Sequence, residues 1–248
     1  ISGARATPAK YMRVSKEAEP GRVARCIAKF WRVRKPSVII SVTGSAGGLD
    51  LPPRLQKAFC DGVVNAGRAT DALFVTGGTS SGVMALCGDA MSGSGGHGLS
   101  LIGFVSWSKL LNKPLLDGNR GEPMARRYVQ SEPNSNQGAG LETRHTHFVI
   151  VDGGAEGNWG DEIRLRDTVL GLLEKWYNVP SVCLVVQGGP NTLVTVDQAI
   201  ESGTPVVLVQ DSGGAADAIA NFAAGWQPDS ATSSYVDQLS SLQGGAWA

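Results

Sequence analysis

The side chains that could carry chemistry sit in glycine-rich turns, each at the end of a short apolar run. The run 72–76 ends in Thr76, Gly77, Gly78, Thr79, Ser80 and Gly82. The run 182–186 leads into Gly188, Gly189, Pro190, Asn191 and Thr192, and a helical pattern begins near Leu193. The run 38–42 ends in Thr43, Gly44 and Ser45, the run 206–209 in Asp211, Ser212 and Gly213, and the run 148–151 in Asp152, Gly153 and Gly154. A strand that turns through glycine into a helix start leaves backbone N–H groups free to meet an anion. Hydroxyls beside those N–H groups add further partners for phosphate oxygens. One such turn is commonly just a tight connection. The TGGTSSG and GGPNT turns, expected on neighbouring strands, together point to a phosphate-bearing ligand.

Arg166 is the most informative single residue. The pattern after Gly160 reads as a helix to Tyr177 with an apolar stripe of Ile163, Leu170 and Leu173, and Arg166 falls on that stripe. The helix macrodipole also disfavours a cation in the early turns. Either a carboxylate at the edge of the core satisfies this arginine, or the arginine faces the crevice and clamps a phosphate. Trp159, just before the helix, is a stacking surface for a base or a packing aromatic.

Other chemistries lack their residues. No GxxxxGK[ST] is present, which excludes a P-loop, and residues 43–50 do not read GxGxxG. No GxSxG elbow or Ser-His-Asp order stands out. His145 and His147 are two apart but have no third metal ligand near them, so a structural role is expected for both. The four cysteines form no CxxC pair and read as reduced thiols of an intracellular protein.

The elements that must hold these turns follow from periodicity. Lys+Arg and Asp+Glu are both 22, so the net charge of zero offers nothing to a nucleic acid. The 33 glycines concentrate after strands instead of spreading as low complexity. No apolar run approaches the ~20 residues of a membrane span, and no signal peptide is visible. Residues 1–35 read as an arm followed by a short helix bearing Val23, Ile27, Phe30 and Trp31 on one face. Residues 36–222 alternate apolar strands with helices, which predicts an α/β fold with a doubly wound, mostly parallel sheet. Such sheets bind ligands at their carboxyl edge. Residues 108–141 are polar and proline-punctuated, and read as a mobile insertion. Residues 223–248 read as a frayed tail.

At these residues the chain resembles the N-terminal cytoplasmic homology region of melastatin-type TRP (TRPM) channels, a Rossmann-like branch of the SLOG superfamily. The matching pieces are PSVIISVTGSAG, TGGTSSGVM, LIGFVSW, HTHFVIVDGGAEGNWGDEIRLR and VCLVVQGGPNTL, followed by GTPVVLVQDSGGAADAIA. The resemblance implies a cytoplasmic ligand-sensing domain that binds ADP-ribose or a related nucleotide, needs no cofactor and works with channel subunits or channel domains. It allows a homo-oligomer and implies neither nucleic-acid binding nor insertion into the membrane. Trp159 and Arg166 fall where the family's aromatic and arginine contact the ligand, while Gly214 stands where a further ligand arginine would be. The superfamily's LOG-type phosphoribohydrolases carry GGxGTxxE, and Thr195 occupies the position of the glutamate, so no hydrolysis is expected. The alternatives are a LOG-like nucleotide or nucleotide-sugar glycosidase using Asp152 or Asp211, and a structural assembly module without ligand.

Overall fold

The structure is a computed structural model that describes residues 8–93, 96, 98–118, 125–130 and 138–225. Seven strands form one sheet: β1 (Lys10–Ser15), β2 (Ile39–Gly44), β3 (Leu73–Thr76), β4 (Ser100–Ser106), β5 (His147–Asp152), β6 (Ser181–Val186) and β7 (Val206–Val209). Their order is β1-β5-β4-β3-β2-β6-β7, and every pair is parallel. The central strands can be apolar throughout because helices cover both faces, and all four residues of β3 are buried.

Six helices do the covering: α1 (Pro20–Arg25), α2 (Pro53–Thr70), α3 (Gly82–Ser92), α4 (Ile163–Tyr177), α5 (Pro190–Glu201) and α6 (Gly214–Ala223). Side chains alternate across a strand, so β2 sends Ile39 into a core with α1 and α4, and Val42 into a core with α2 and α3. A third cluster joins β6 and β7 to α5 and α6. The chain winds outward from β2 to β5, then α4 carries it back across the sheet to β6 on the far side of β2. That reversal is the doubly wound arrangement expected from the sequence.

Several expectations need correction. The arm ends before Lys10, because residues 10–15 add an edge strand to β5. Its alternation is weak since only one side of an edge strand is paired, which hid it from a search for apolar runs. The short helix continues past α1 as a π-helical turn over Cys26–Phe30. The wider turn keeps Val23, Ile27 and Trp31 buried and rotates Phe30 out to 75% exposure. Helix α4 starts at Ile163 instead of Gly160, whose φ of +93° does not fit a helix. Before it, Asn158 N–H donates to Asp161 Oδ2 at 2.7 Å.

Part of the 108–141 insertion is packed into the domain, while residues 125–127 and Val129 are exposed. Leu110, Leu116, Ala139 and Leu141 are buried, and Tyr128 Oη ties two of its stretches together by donating to the Leu111 carbonyl and accepting from Leu141 N–H. The expected tail lies outside the described residues from 226 onward.

Gly88 in α3 marks how closely the insertion packs. A Cβ there would sit 2.1 Å from Oε2 of the fully buried Glu142. Alanine normally gains up to about 1 kcal/mol over glycine in a helix. Gly88→Ala is instead expected to lower the unfolding free energy by about 1–3 kcal/mol through overpacking. Gly171→Ala in α4, where an added Cβ meets nothing within 4 Å, serves as the neutral or stabilising control. Urea denaturation compares the two, and equal midpoints would refute this packing.

Candidate functional site at the carboxyl edge of the sheet

The winding reverses between β2 and β6, and there the strand-end turns converge. The β2–β6 ladder ends at Gly44 opposite Val186, and Ser45 N–H donates to the Val186 carbonyl at 3.3 Å. The approach is so close that a Cβ on Gly44 would lie 2.0 Å from that oxygen. The Ser45 carbonyl accepts Val83 N–H from the first turn of α3 at 3.0 Å. Gly82, with φ of +54°, lets the two backbones meet. Across the crevice, the Gly188 and Gln187 carbonyls accept Ala215 and Ala216 N–H of α6, each at 3.0 Å. Gln187 N–H donates to Ser212 Oγ at 2.8 Å. Thr192 Oγ1 closes the circuit, accepting Gly189 N–H at 3.2 Å and donating to the Gly44 carbonyl at 3.4 Å.

The structure therefore gathers Gly44, Ser45, Gly82, Gly188, Gly189, Thr192, Ser212 and Gly213 around one crevice, with Pro190, Asn191 and Asp211 exposed on its rim. Thr43 is buried beneath it. Gly213 N–H is taken by Asp217 Oδ2 at 2.9 Å, so α6 supplies its own anion. The start of α5 has no acidic residue in its first turn, and Thr192 Oγ1 takes the Gly189 N–H there.

The TGGTSSG turn behaves differently. Strands β3 and β6 are not neighbours, because β2 lies between them. Thr76, Gly78, Thr79 and Ser80 are buried, and Gly77, Ser81 and Gly82 are partly open. The returning insertion seals this turn: Glu142 N–H donates to the Gly78 carbonyl, Ser80 N–H donates to the Gly140 carbonyl, and Thr79 bridges to Leu141. Thr76 Oγ1 lies 2.7 Å from His145 Nε2 and accepts Gly78 N–H at 2.9 Å. His145 Nδ1 lies 3.1 Å from Glu142 Oε2, and a carboxylate accepts only, so Nδ1 carries the proton. Arg144 completes the network by pairing with Glu142 and Asp89. Glu142 and His145 are fully buried, so this relay holds the insertion on the turn and does not reach a ligand.

Arg166 is 4% exposed and is held as a cation by carboxylates. Burial alone would lower its pKa, but Asp167 and Glu162 raise it. Its Nε donates to Asp167 Oδ1 at 3.0 Å, and Nη2 donates across to Thr195 Oγ1 on α5 at 3.3 Å. Nη1 has no hydrogen-bond partner among the described residues. A carboxylate thus satisfies one edge of the guanidinium, as one of the two sequence readings has it. Trp159 is 40% exposed, and the carbonyl of its neighbour Asn158 accepts Ser106 Oγ–H, which ties this loop to the end of β4.

The carboxylates weighed for an enzymatic reading are poorly suited to proton transfer. Arg13 binds Asp152 at 2.7 and 3.1 Å and helps hold its pKa below the ordinary value, while Asp211 is exposed. No group of three His, Cys, Asp or Glu among the described residues could hold a metal ion. A cavity of about 590 Å³ opens between α4 and α5 and is lined by Asp167, Leu170, Thr195 and Gln198, not by the glycine turns. It lies behind the groups that hold Arg166. We therefore place the candidate site by the converging turns and not by cavity size. Reading the sequence alone missed Glu142 and Asp167. The signals available were a carboxylate three residues before His145 and one beside Arg166.

Comparison with known proteins agrees with this architecture. The family model for the SLOG domain in TRPM matches residues 9–242. Transient receptor potential cation channel subfamily M member 2 of Rattus norvegicus is 35% identical over 233 residues, covering 87% of this chain and 15% of the relative. The member-like 2 protein of Nematostella vectensis is 33% identical over 227 residues, with coverages of 85% and 15%. Subfamily M member 1 of Mus musculus is 34% identical over 238 residues, with coverages of 89% and 14%. The chain thus spans only a small part of the length of these relatives. Among its described residues no helix is long and apolar enough to cross a membrane.

His147, at the start of β5, packs 5.0 Å from the Trp31 ring. Burial, with the charge of Lys10, pulls its pKa from 6.5 to about 4. As pH falls from 6.5, the unfolded chain takes up this proton before the folded one does. The stability contributed by neutral His147 is therefore present above pH 6.5 and is lost towards pH 4. His147→Asn is expected to flatten the fall of the urea midpoint across that window relative to wild type. An unchanged slope would contradict a buried neutral histidine.

Proposed function

The chain belongs to the family of SLOG domains in TRPM channels, and from that premise we propose that it is a ligand-sensing domain. It binds a nucleotide-sugar such as ADP-ribose at the β2–β6 crevice and transmits occupancy to a cation channel from the cytosolic face. The observation that carries this reading is Arg166: a buried cation whose Nη1 makes no hydrogen bond among the described residues, tied through Thr195 to Asn191 of the GGPNT turn. An anionic phosphate answers that donor. Trp159, exposed in the loop tied to the end of β4, offers a stacking face for the base.

Catalysis has no comparable support. Thr195, at the position a hydrolytic carboxylate would need, accepts from Arg166 and donates to the Asn191 carbonyl at 3.1 Å, so both functions of its hydroxyl are engaged. AMP and ADP-ribose are expected to survive prolonged incubation with the protein. Chromatographic release of adenine or ribose phosphate at about one turnover per second would establish an enzyme instead.

Calorimetry against ADP-ribose, AMP, cyclic ADP-ribose and NAD tests the binding itself. Arg166→Ala is expected to weaken ADP-ribose binding by about 1.5–3 kcal/mol, the range for a charge-assisted hydrogen bond. Arg166→Lys recovers little of this, since a point charge does not reproduce the planar fork. The alanine variant should also melt earlier without ligand, because Asp167 loses its partner. Saturable binding that Arg166→Ala leaves unchanged would remove the arginine from the site, and no binding of any of the four ligands would favour a purely structural module.

A further inference from the structure

We propose that Asp167 and Thr195 are positioning residues that fix which donor of Arg166 a ligand meets, an inference that rests on the reading of Arg166 as a phosphate contact. Adjacent residues on a helix do not face one another. The Arg166–Asp167 contact therefore requires the guanidinium to fold back over its own helix. The contact is single, not a two-point fork: Asp167 Oδ1 takes Nε, and Asp167 Oδ2 has no partner. The second donor of that edge, Nη2, instead goes across to Thr195 on α5.

Thr195 gives this contact a direction. Its hydroxyl donates back to the Asn191 carbonyl at 3.1 Å, so its oxygen is left to accept from Arg166. The hydrogen-bond chain therefore runs from Arg166 through Thr195 to Asn191, a member of the GGPNT turn. With Nε and Nη2 each engaged, Nη1 is the nitrogen without a hydrogen bond among the described residues, and the guanidinium is tied through Thr195 to the GGPNT turn. A guanidinium buried to 4% exposure has no room to find another arrangement. Asp167 and Thr195 also line the cavity between α4 and α5, so they grip Arg166 from behind and stay out of the crevice.

The consequences separate positioning from bulk stability. Thr195→Val removes the acceptor and keeps the shape, and is expected to weaken ADP-ribose binding about two- to tenfold, the range of one hydrogen bond. Thr195→Ser retains the acceptor and should bind as wild type. Asp167→Asn retains an acceptor oxygen for Nε and should stay within about twofold, while Asp167→Leu should lose as much as Thr195→Val or more. Calorimetry with ADP-ribose on the full chain, with melting curves for each variant, gives the result. If Arg166→Ala does not weaken binding, the reading of Arg166 itself fails. If Arg166→Ala weakens binding but Thr195→Val and Asp167→Leu do not, the positioning inference alone is overturned. It is likewise overturned if the losses track melting temperature and Thr195→Ser and Asp167→Asn fail to restore affinity.

Discussion

Everything at the carboxyl edge depends on the contact between the ends of β2 and β6. Parallel strands with opposite winding on either side must leave a gap where the connections part. Here the gap is narrow, because the Gly44 backbone touches the Val186 carbonyl with no room for a side chain. That contact brings Thr192, in the first turn of α5, within reach of the Gly44 carbonyl, and it fixes where α3 and α6 can attach. The glycines at 44, 82 and 214 are needed because backbone meets backbone there; a Cβ at any of them would overlap a carbonyl oxygen.

A second constraint divides the edge into two parts with different work. On the β3 side, the insertion and the Thr76–His145–Glu142 relay fill the turn and satisfy its polar groups. Buried polar networks that are fully satisfied add rigidity, and an unmade bond within them costs on the order of 1–3 kcal/mol. On the β6 side, Pro190, Asn191 and Asp211 are exposed and Arg166 Nη1 makes no hydrogen bond among the described residues. The chain itself closes the β3 half of the edge, and the proposed ligand site is in the other half.

The sheet was legible in the sequence wherever burial on both faces made a continuous apolar run, as in 72–76 and 182–186. It was illegible at Lys10–Ser15, an edge strand whose residues answer to one neighbour and to solvent. Arg166 stood out because a cation on an apolar stripe breaks the helical pattern. Its partners did not, since Asp167 lies on a different face and Thr195 is on another helix, and only the fold brings them together. The hydroxyls of Thr76 and Thr79 looked like phosphate ligands because local sequence cannot register a segment some sixty residues later folding over them. His145, expected to be structural, and Glu142, which the sequence did not single out, are part of that cover.

The central claim is that the β2–β6 half of the edge binds an anionic nucleotide while the β3 half is closed. The most direct test is a titration of ADP-ribose into ¹⁵N-labelled protein, following backbone amides and Arg166 Nε–H. The account predicts one saturable set of shifts at Gly44, Ser45, Gly189, Asn191 and Arg166 Nε–H, with Gly78 and Ser80 unmoved. Shifts centred on Gly78 and Ser80, or saturable binding that leaves Gly189 and Arg166 unperturbed, would contradict it.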